Sequence, residues 1–172
     1  MSDRKLVENI GAAVNSRSLV SAWLYDSDSG YPDRYVYRNE WLAAFRNYGF
    51  TVDNEPTEPL SSPLLLHRGA SESCRDGIGW SDSLTVAGFV AFLGAEHTYR
   101  EPGSVWSAEV PPENVLAVIH HAARFPVGGF TEYVVDPTSA DIRRAEPQVQ
   151  EACRRQVTRY VELAGALRAV AG

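Results

Sequence analysis

The sequence predicts an α+β domain: helices first, then mainly antiparallel strands interrupted by one helix, then a closing helix. Three observations predict it. Apolar residues recur at helical spacing near both ends of the chain, while the middle carries short apolar or alternating runs bounded by Gly and Pro. The strands come as a block rather than alternating one by one with helices, which argues against a parallel sheet. At 172 residues the chain suffices for one domain with its own core and is short for two.

Taken in order, Leu6, Val7, Ile10, Ala13 and Val14 fall on one helical stripe with Ser2 placed as its cap. Tyr37, Trp41, Ala44, Phe45 and Tyr48 form a second stripe, and Gly49 stands where a helix wants its C′ residue. Between Phe50 and Pro63, three prolines among acidic residues read as an extended surface linker. The run "PLLLHRG" reads as a short apolar strand. "SLTVAGFVAFLG" is a helix capped by Ser83 and stopped by Gly94. "SVWSAEV" alternates and halts at Pro111-Pro112, "VLAVIHH" is a more buried strand, and "FTEYVVDP" is a third, ended by Asp-Pro. From Pro147 onward, Val149, Cys153, Val157, Tyr160, Val161, Leu163 and Leu167 recur at roughly helical intervals, with Pro at the first turn. The single domain 1–172 thus divides into a helical portion (1–55), a β core (60–137) and a C-terminal helix (138–172).

Composition narrows the function classes. Hydrophobic residues at 44% and charged residues at 22% describe a globular chain rather than a disordered one. A net charge of −6 argues against a surface that coats nucleic acid, although a local basic cleft stays open. Arginine supplies every cation except Lys5, a composition that points to a GC-rich genome, bacterial or phage. Two cysteines, Cys74 and Cys153, are too few for a secreted disulfide scaffold. The opening "MSDRKLVENIG" is polar within five residues, so the reading is a cytoplasmic protein with free thiols, no leader and no membrane span.

A few polar residues stand out. Arg68 ends a strand and precedes Gly69, so a guanidinium and an unshielded backbone meet where paired N–H donors could grip a phosphate; a surface arginine or a structural ion pair is the plainer alternative. Ser81, in "GWSDS", lacks the second glycine of a nucleophile elbow and the parallel sheet that such a turn demands. It reads instead as a hydroxyl at the end of a short strand. Glu132 enters an otherwise apolar strand beside the "PVGG" loop, where burial without a partner would be costly; an edge position facing water is the alternative. His120 and His121 are adjacent, so on a strand they point to opposite faces and cannot share a metal. Cys74, in a polar loop, is expected to be solvent-exposed. Trp80 and Trp106 are more often packing residues than stacking platforms.

In their order and spacing these segments resemble the ADP-ribosyltransferase superfamily, in the class named for an Arg, a Ser and a Glu on three separate strands. The resemblance is carried by "LLLHRG", "GIGWSDS" with the small-residue helix "TVAGFVAF", "VWSAEVPPENVLAVI" and "TEYVVDP", and covers roughly residues 60 to 137. It implies a split antiparallel β-sandwich flanked by N-terminal helices and a C-terminal helix. It also implies cleavage of the bond between nicotinamide and ribose in NAD, with NAD as co-substrate and no metal. Glu132 would be the catalytic carboxylate, stabilising an oxocarbenium-like transition state and bonding the ribose 2′-OH. His67, Arg68, Gly69, Trp80 and Ser81 would bind the dinucleotide: Arg68 its phosphates and ribose, Gly69 the carboxamide, Ser81 the ribose and Glu132 itself, Trp80 the nicotinamide ring.

Two positions depart from the class. Gly79 stands where the first serine of the Ser-x-Ser/Thr motif belongs, and Phe130 stands where arginine-modifying members carry a second acid. Arginine is therefore a poor candidate acceptor, leaving another protein side chain, a nucleic-acid base, a small molecule or water. The expected role is that of a toxin or host-modifying transferase acting on a macromolecule, with an antitoxin as a further possible partner. The alternatives are an NAD glycohydrolase with water as acceptor, and a binding module that kept the fold and lost catalysis.

Overall fold

The structure, a computed structural model, describes residues 19–23, 38–94, 101–125 and 128–171. The helix expected over Leu6–Val14 lies outside these residues. Helix α1 (Arg38–Tyr48) buries Trp41, Leu42, Ala44 and Phe45 and ends as its sequence predicts, with Gly49 at φ +90° and its N–H bonded to the Phe45 carbonyl at 3.0 Å. A left-handed backbone at that point is one that glycine adopts without a Cβ penalty.

The stretch read as a linker instead contains a small hairpin, β1 (Thr51–Val52) and β2 (Glu55–Pro56). Its turn residues Asp53 and Asn54 both have positive φ, the conformation of a tight two-residue hairpin loop. The remaining strands are β3 (Leu64–Ala70), β4 (Gly79–Ser81), β5 (Ser104–Val110), β6 (Val115–Phe125), β7 (Gly128–Val135) and β8 (Arg143–Arg144). They make one eight-stranded sheet in the order β2-β1-β6-β7-β4-β3-β5-β8, antiparallel throughout except between β1 and β6. The architecture is α+β, with an open and predominantly antiparallel sheet.

The short link between β5 and β6 bends this sheet. Four strand spacings, about 19 Å in a flat sheet, separate the two strands. Residues 111–114, partly wound into a 3₁₀ turn, span less than that. The halves of the sheet therefore curl toward each other. Leu66 of β3, Trp80 of β4, Val110 of β5, Val118 of β6 and Val135 of β7 share one apolar cluster between them. The halves are joined through β3 and β4 at a single register pair, His67 opposite Ser81. On the other face of β6 and β7, Ala117, Ile119 and Val134 pack under Leu19, Val20 and Trp23 of the helical segment 19–23 and under Trp41 and Phe45 of α1.

Helix α2 (Leu84–Phe89), continued by a π turn (Val90–Gly94), starts as expected: the Ser83 hydroxyl accepts from the Val86 amide at 3.4 Å. Helix α3 (Pro147–Ala171) buries Cys153 and Val157 and leaves Val161 and Leu163 exposed. The Gln150 side-chain amide fastens its first turn to β5, donating to the Val105 carbonyl at 2.7 Å and accepting from the Val105 amide at 3.0 Å. Neither cysteine forms a disulfide. Cys153 is buried against α2, and burial pushes its thiol pKa up. Cys74, expected to be exposed, is buried against Ala70 and Trp106 because the 3₁₀ turn Glu72–Cys74 directs it inward.

Gly69 is where β3 meets α2. A methyl group there would stand 2.1 Å from the Ala87 carbonyl oxygen, 2.4 Å from the Ala91 nitrogen and 2.8 Å from Val90 Cβ. Two of those atoms belong to the backbone and cannot rotate away. Overpacking of this kind costs about 1–3 kcal/mol and more against fixed atoms. Gly69→Ala is expected to lower the unfolding free energy by about 3 kcal/mol in urea denaturation; a loss below about 1 kcal/mol would contradict this packing.

Candidate active site

Backbone register brings the candidate residues toward one place. Ser81 of β4 lies opposite Glu132 of β7, and Glu132 lies opposite Ile119 of β6. Residues opposite one another in a ladder share a face, so Gly79, Ser81, Glu132 and Ile119 point to the side covered by Trp23 and Trp41. β7 is an interior strand, and the Glu132 side chain keeps only 12% of its surface exposed. This disposes of the edge-strand alternative. The carboxylate does not lack a partner: Oε2 lies 2.8 Å from His121 Nε2. The His121 side chain is 8% exposed and stacks on Phe130, ring centroids 4.2 Å apart and planes 3° from parallel.

Arg68 reaches the same spot from β3. Its Nε donates to the Cys74 carbonyl at 3.2 Å and its Nη1 to the Gly79 carbonyl at 2.5 Å. Gly77 lies flat against the guanidinium, since a methyl group on it would stand 2.1 Å from Nη2. The arginine thus organises the loop from β3 to β4, which Arg38 also ties to α1 through Asp76 at 2.6 Å. A methyl group on Gly79 would meet Glu132 Oε1 at 2.9 Å, Arg68 Nη1 at 3.7 Å and Trp23 Cζ2 at 3.7 Å. Arg68 and Glu132, 64 positions apart in the chain, therefore flank one glycine.

The other candidates occupy different surroundings. The Ser81 hydroxyl is buried and donates to the Thr131 carbonyl at 2.9 Å while accepting from the Ser83 amide at 3.2 Å. It pins the backbone beside Glu132 rather than bonding the carboxylate. His67 faces Ser81 across the ladder, but its Nδ1 is 2.9 Å from Ser107 Oγ. Burial lowers the His67 pKa, with Asp82 pulling it back up in part, so the ring is held toward its neutral form. Gly69 packs against α2 and the π turn that continues it, and its missing side chain makes room for them.

Trp80 is not brought to Glu132. It neighbours Ser81 on an extended strand and so projects to the opposite face, where it sits in the core between the two halves of the sheet. Its indole N–H donates to the Gly77 carbonyl at 2.7 Å. Among the described residues, the aromatic ring next to Gly79 is that of Trp23, fully buried. It packs edge-on against Trp41 at 5.2 Å and Phe45 at 5.7 Å. Sequence reasoning missed Trp23 and His121 as site residues. Alternation along "VLAVIHH" gives His121 one face and His120 the other, and His120 does bond Asp53, at 2.7 Å. Only the β6–β7 register shows that the inward face carries Glu132.

Chemically, the cluster offers a largely buried carboxylate with Oε2 on an imidazole and Oε1 beside a glycine that an arginine also approaches. Among the described residues no group of three or more His, Cys, Asp or Glu could hold a metal ion, and no helix is long and apolar enough to cross a membrane. No family model, curated protein or solved structure matches the chain.

Proposed function

We propose that the protein is an ADP-ribosyltransferase that cleaves NAD at the bond between nicotinamide and ribose. One observation carries this reading: Arg68 and Glu132 converge on Gly79 from strands in the two halves of a curled sheet. The single-pair joint between β3 and β4 supports the split sandwich that the resemblance implies. A carboxylate kept from water acts strongly on positive charge that develops nearby, because little solvent screens it. As nicotinamide departs with the bonding electrons, the ribose gains oxocarbenium character and Glu132 would oppose that charge. Its Oε1 would accept from the ribose 2′-OH. Arg68 would hold the phosphates and ribose, and Trp80, buried on the opposite face of the sheet, would not wall the nicotinamide.

Phe130 favours a second reading for the acceptor. It fills the position from which arginine-modifying members of the class activate their acceptor, and it is stacked on His121. Water, an acceptor that needs no such carboxylate, would make the protein an NAD glycohydrolase. In the transferase reading the acceptor is a protein or nucleic acid, and a toxin role with an antitoxin partner follows as part of the same proposal.

Cell lysate incubated with the protein and tagged NAD tests these readings. The transferase predicts free nicotinamide together with a tagged macromolecule; the glycohydrolase predicts free ADP-ribose and none. Absence of nicotinamide release would reject both and leave a binding module that has lost catalysis.

A further inference from the structure

We propose that His121 is a positioning residue of this site: it holds Glu132 by Oε2 and so fixes the direction in which Oε1 approaches Gly79. The inference rests on the reading of the cleft given above. The Cα of His121 lies opposite Phe130, one step along the face from the Ile119–Glu132 pair, so its ring reaches Glu132 diagonally. The 2.8 Å contact goes to Oε2, whereas the approach to Gly79 is made by Oε1. The two carboxylate oxygens therefore have separate duties.

Elementary stereochemistry explains why such a holder is needed. Rotation about the last bond of a glutamate side chain is broad and two-fold, so an untethered carboxylate presents its oxygens over a wide arc. A hydrogen bond from an imidazole narrows that arc, and Phe130, stacked at 4.2 Å, fixes the imidazole in turn. With the ring proton on Nε2 the histidine donates while neutral, and no second charge is needed. The arrangement also gives Phe130 a purpose beyond filling the place of an acid.

Two substitutions separate the hydrogen bond from packing. His121→Phe keeps a flat ring against Phe130 and removes the donor. His121→Gln loses the ring and supplies an N–H of similar reach. With the full-length chain and NAD, His121→Phe is expected to lower kcat for nicotinamide release by about 30-fold, in the range that misplacement of a catalytic group produces. KM for NAD should change by less than about 3-fold, because Arg68 and its loop are untouched. His121→Gln should recover to within about 5-fold of wild-type kcat. A His121→Phe protein with wild-type kcat would overturn the proposal, as would a folded His121→Gln protein no more active than His121→Phe. A wild-type protein that releases no nicotinamide would instead reject the reading of the cleft, and the role of His121 in it, before any variant is compared.

Discussion

Glu132→Gln is expected to cut nicotinamide release from NAD by about 100-fold or more, the scale on which losing one preorganised electrostatic group acts. The substitution is nearly isosteric. The amide oxygen can still accept from His121, and the β7 backbone keeps its pairing with β4 and β6. What is removed is the negative charge that, in the proposed reaction, would oppose the developing cation. Since the side chain is 12% exposed, water cannot replace that charge efficiently. NAD affinity and melting temperature should change little, and release kinetics with a thermal melt on the same preparation check both. Wild-type turnover in Glu132→Gln would refute the catalytic assignment, whereas a loss of turnover accompanied by unfolding would be a stability effect.

Arg68→Lys is expected to act on stability and on activity together. The guanidinium serves two carbonyls, those of Cys74 and Gly79, and presents a flat face to Gly77. An ammonium is a compact point charge and cannot reproduce that planar fork. At least one carbonyl would lose its charge-assisted partner, at a cost of about 2 kcal/mol. The loop from β3 to β4 would loosen and carry Gly79 with it, so KM for NAD should rise and kcat fall, each by about 10-fold. Urea denaturation and steady-state kinetics read the two effects separately. Unchanged stability would show that the carbonyl contacts matter little; unchanged kinetics would remove Arg68 from the site.

How far the sequence foretold this site depends on whether each signal was local. The α1 stripe of Trp41, Ala44 and Phe45 with its terminal Gly49 is complete within one segment, and it reads correctly. So do the cap at Ser83 and the stops at Pro111 and Asp136-Pro137, where residue chemistry alone ends an element. Strands of two residues, such as Arg143–Arg144 and the β1–β2 hairpin, carry too few side chains to display a period and exist only because a neighbouring strand pairs with them. Trp80 and Trp23 show the same division. Strand alternation alone sends Trp80 and Ser81 to opposite faces, a signal local to one strand. The approach of Trp23 to Gly79 depends on helix packing across a long stretch of chain and leaves no local trace. The atoms that forbid a side chain at Gly69 belong to α2 and its π turn, 18 to 22 residues onward, and leave no local trace either.

In the proposed function, NAD would lie with its scissile bond beside Gly79, between Arg68 and Glu132. Crystals of the Glu132→Gln protein soaked in NAD test it most directly, because the cleft is preserved and cleavage is slowed. The account predicts an intact dinucleotide with its nicotinamide ribose beside the side chain at position 132 and its phosphates on the Arg68 side. NAD bound elsewhere on the molecule, or no bound NAD at millimolar concentrations, would contradict it.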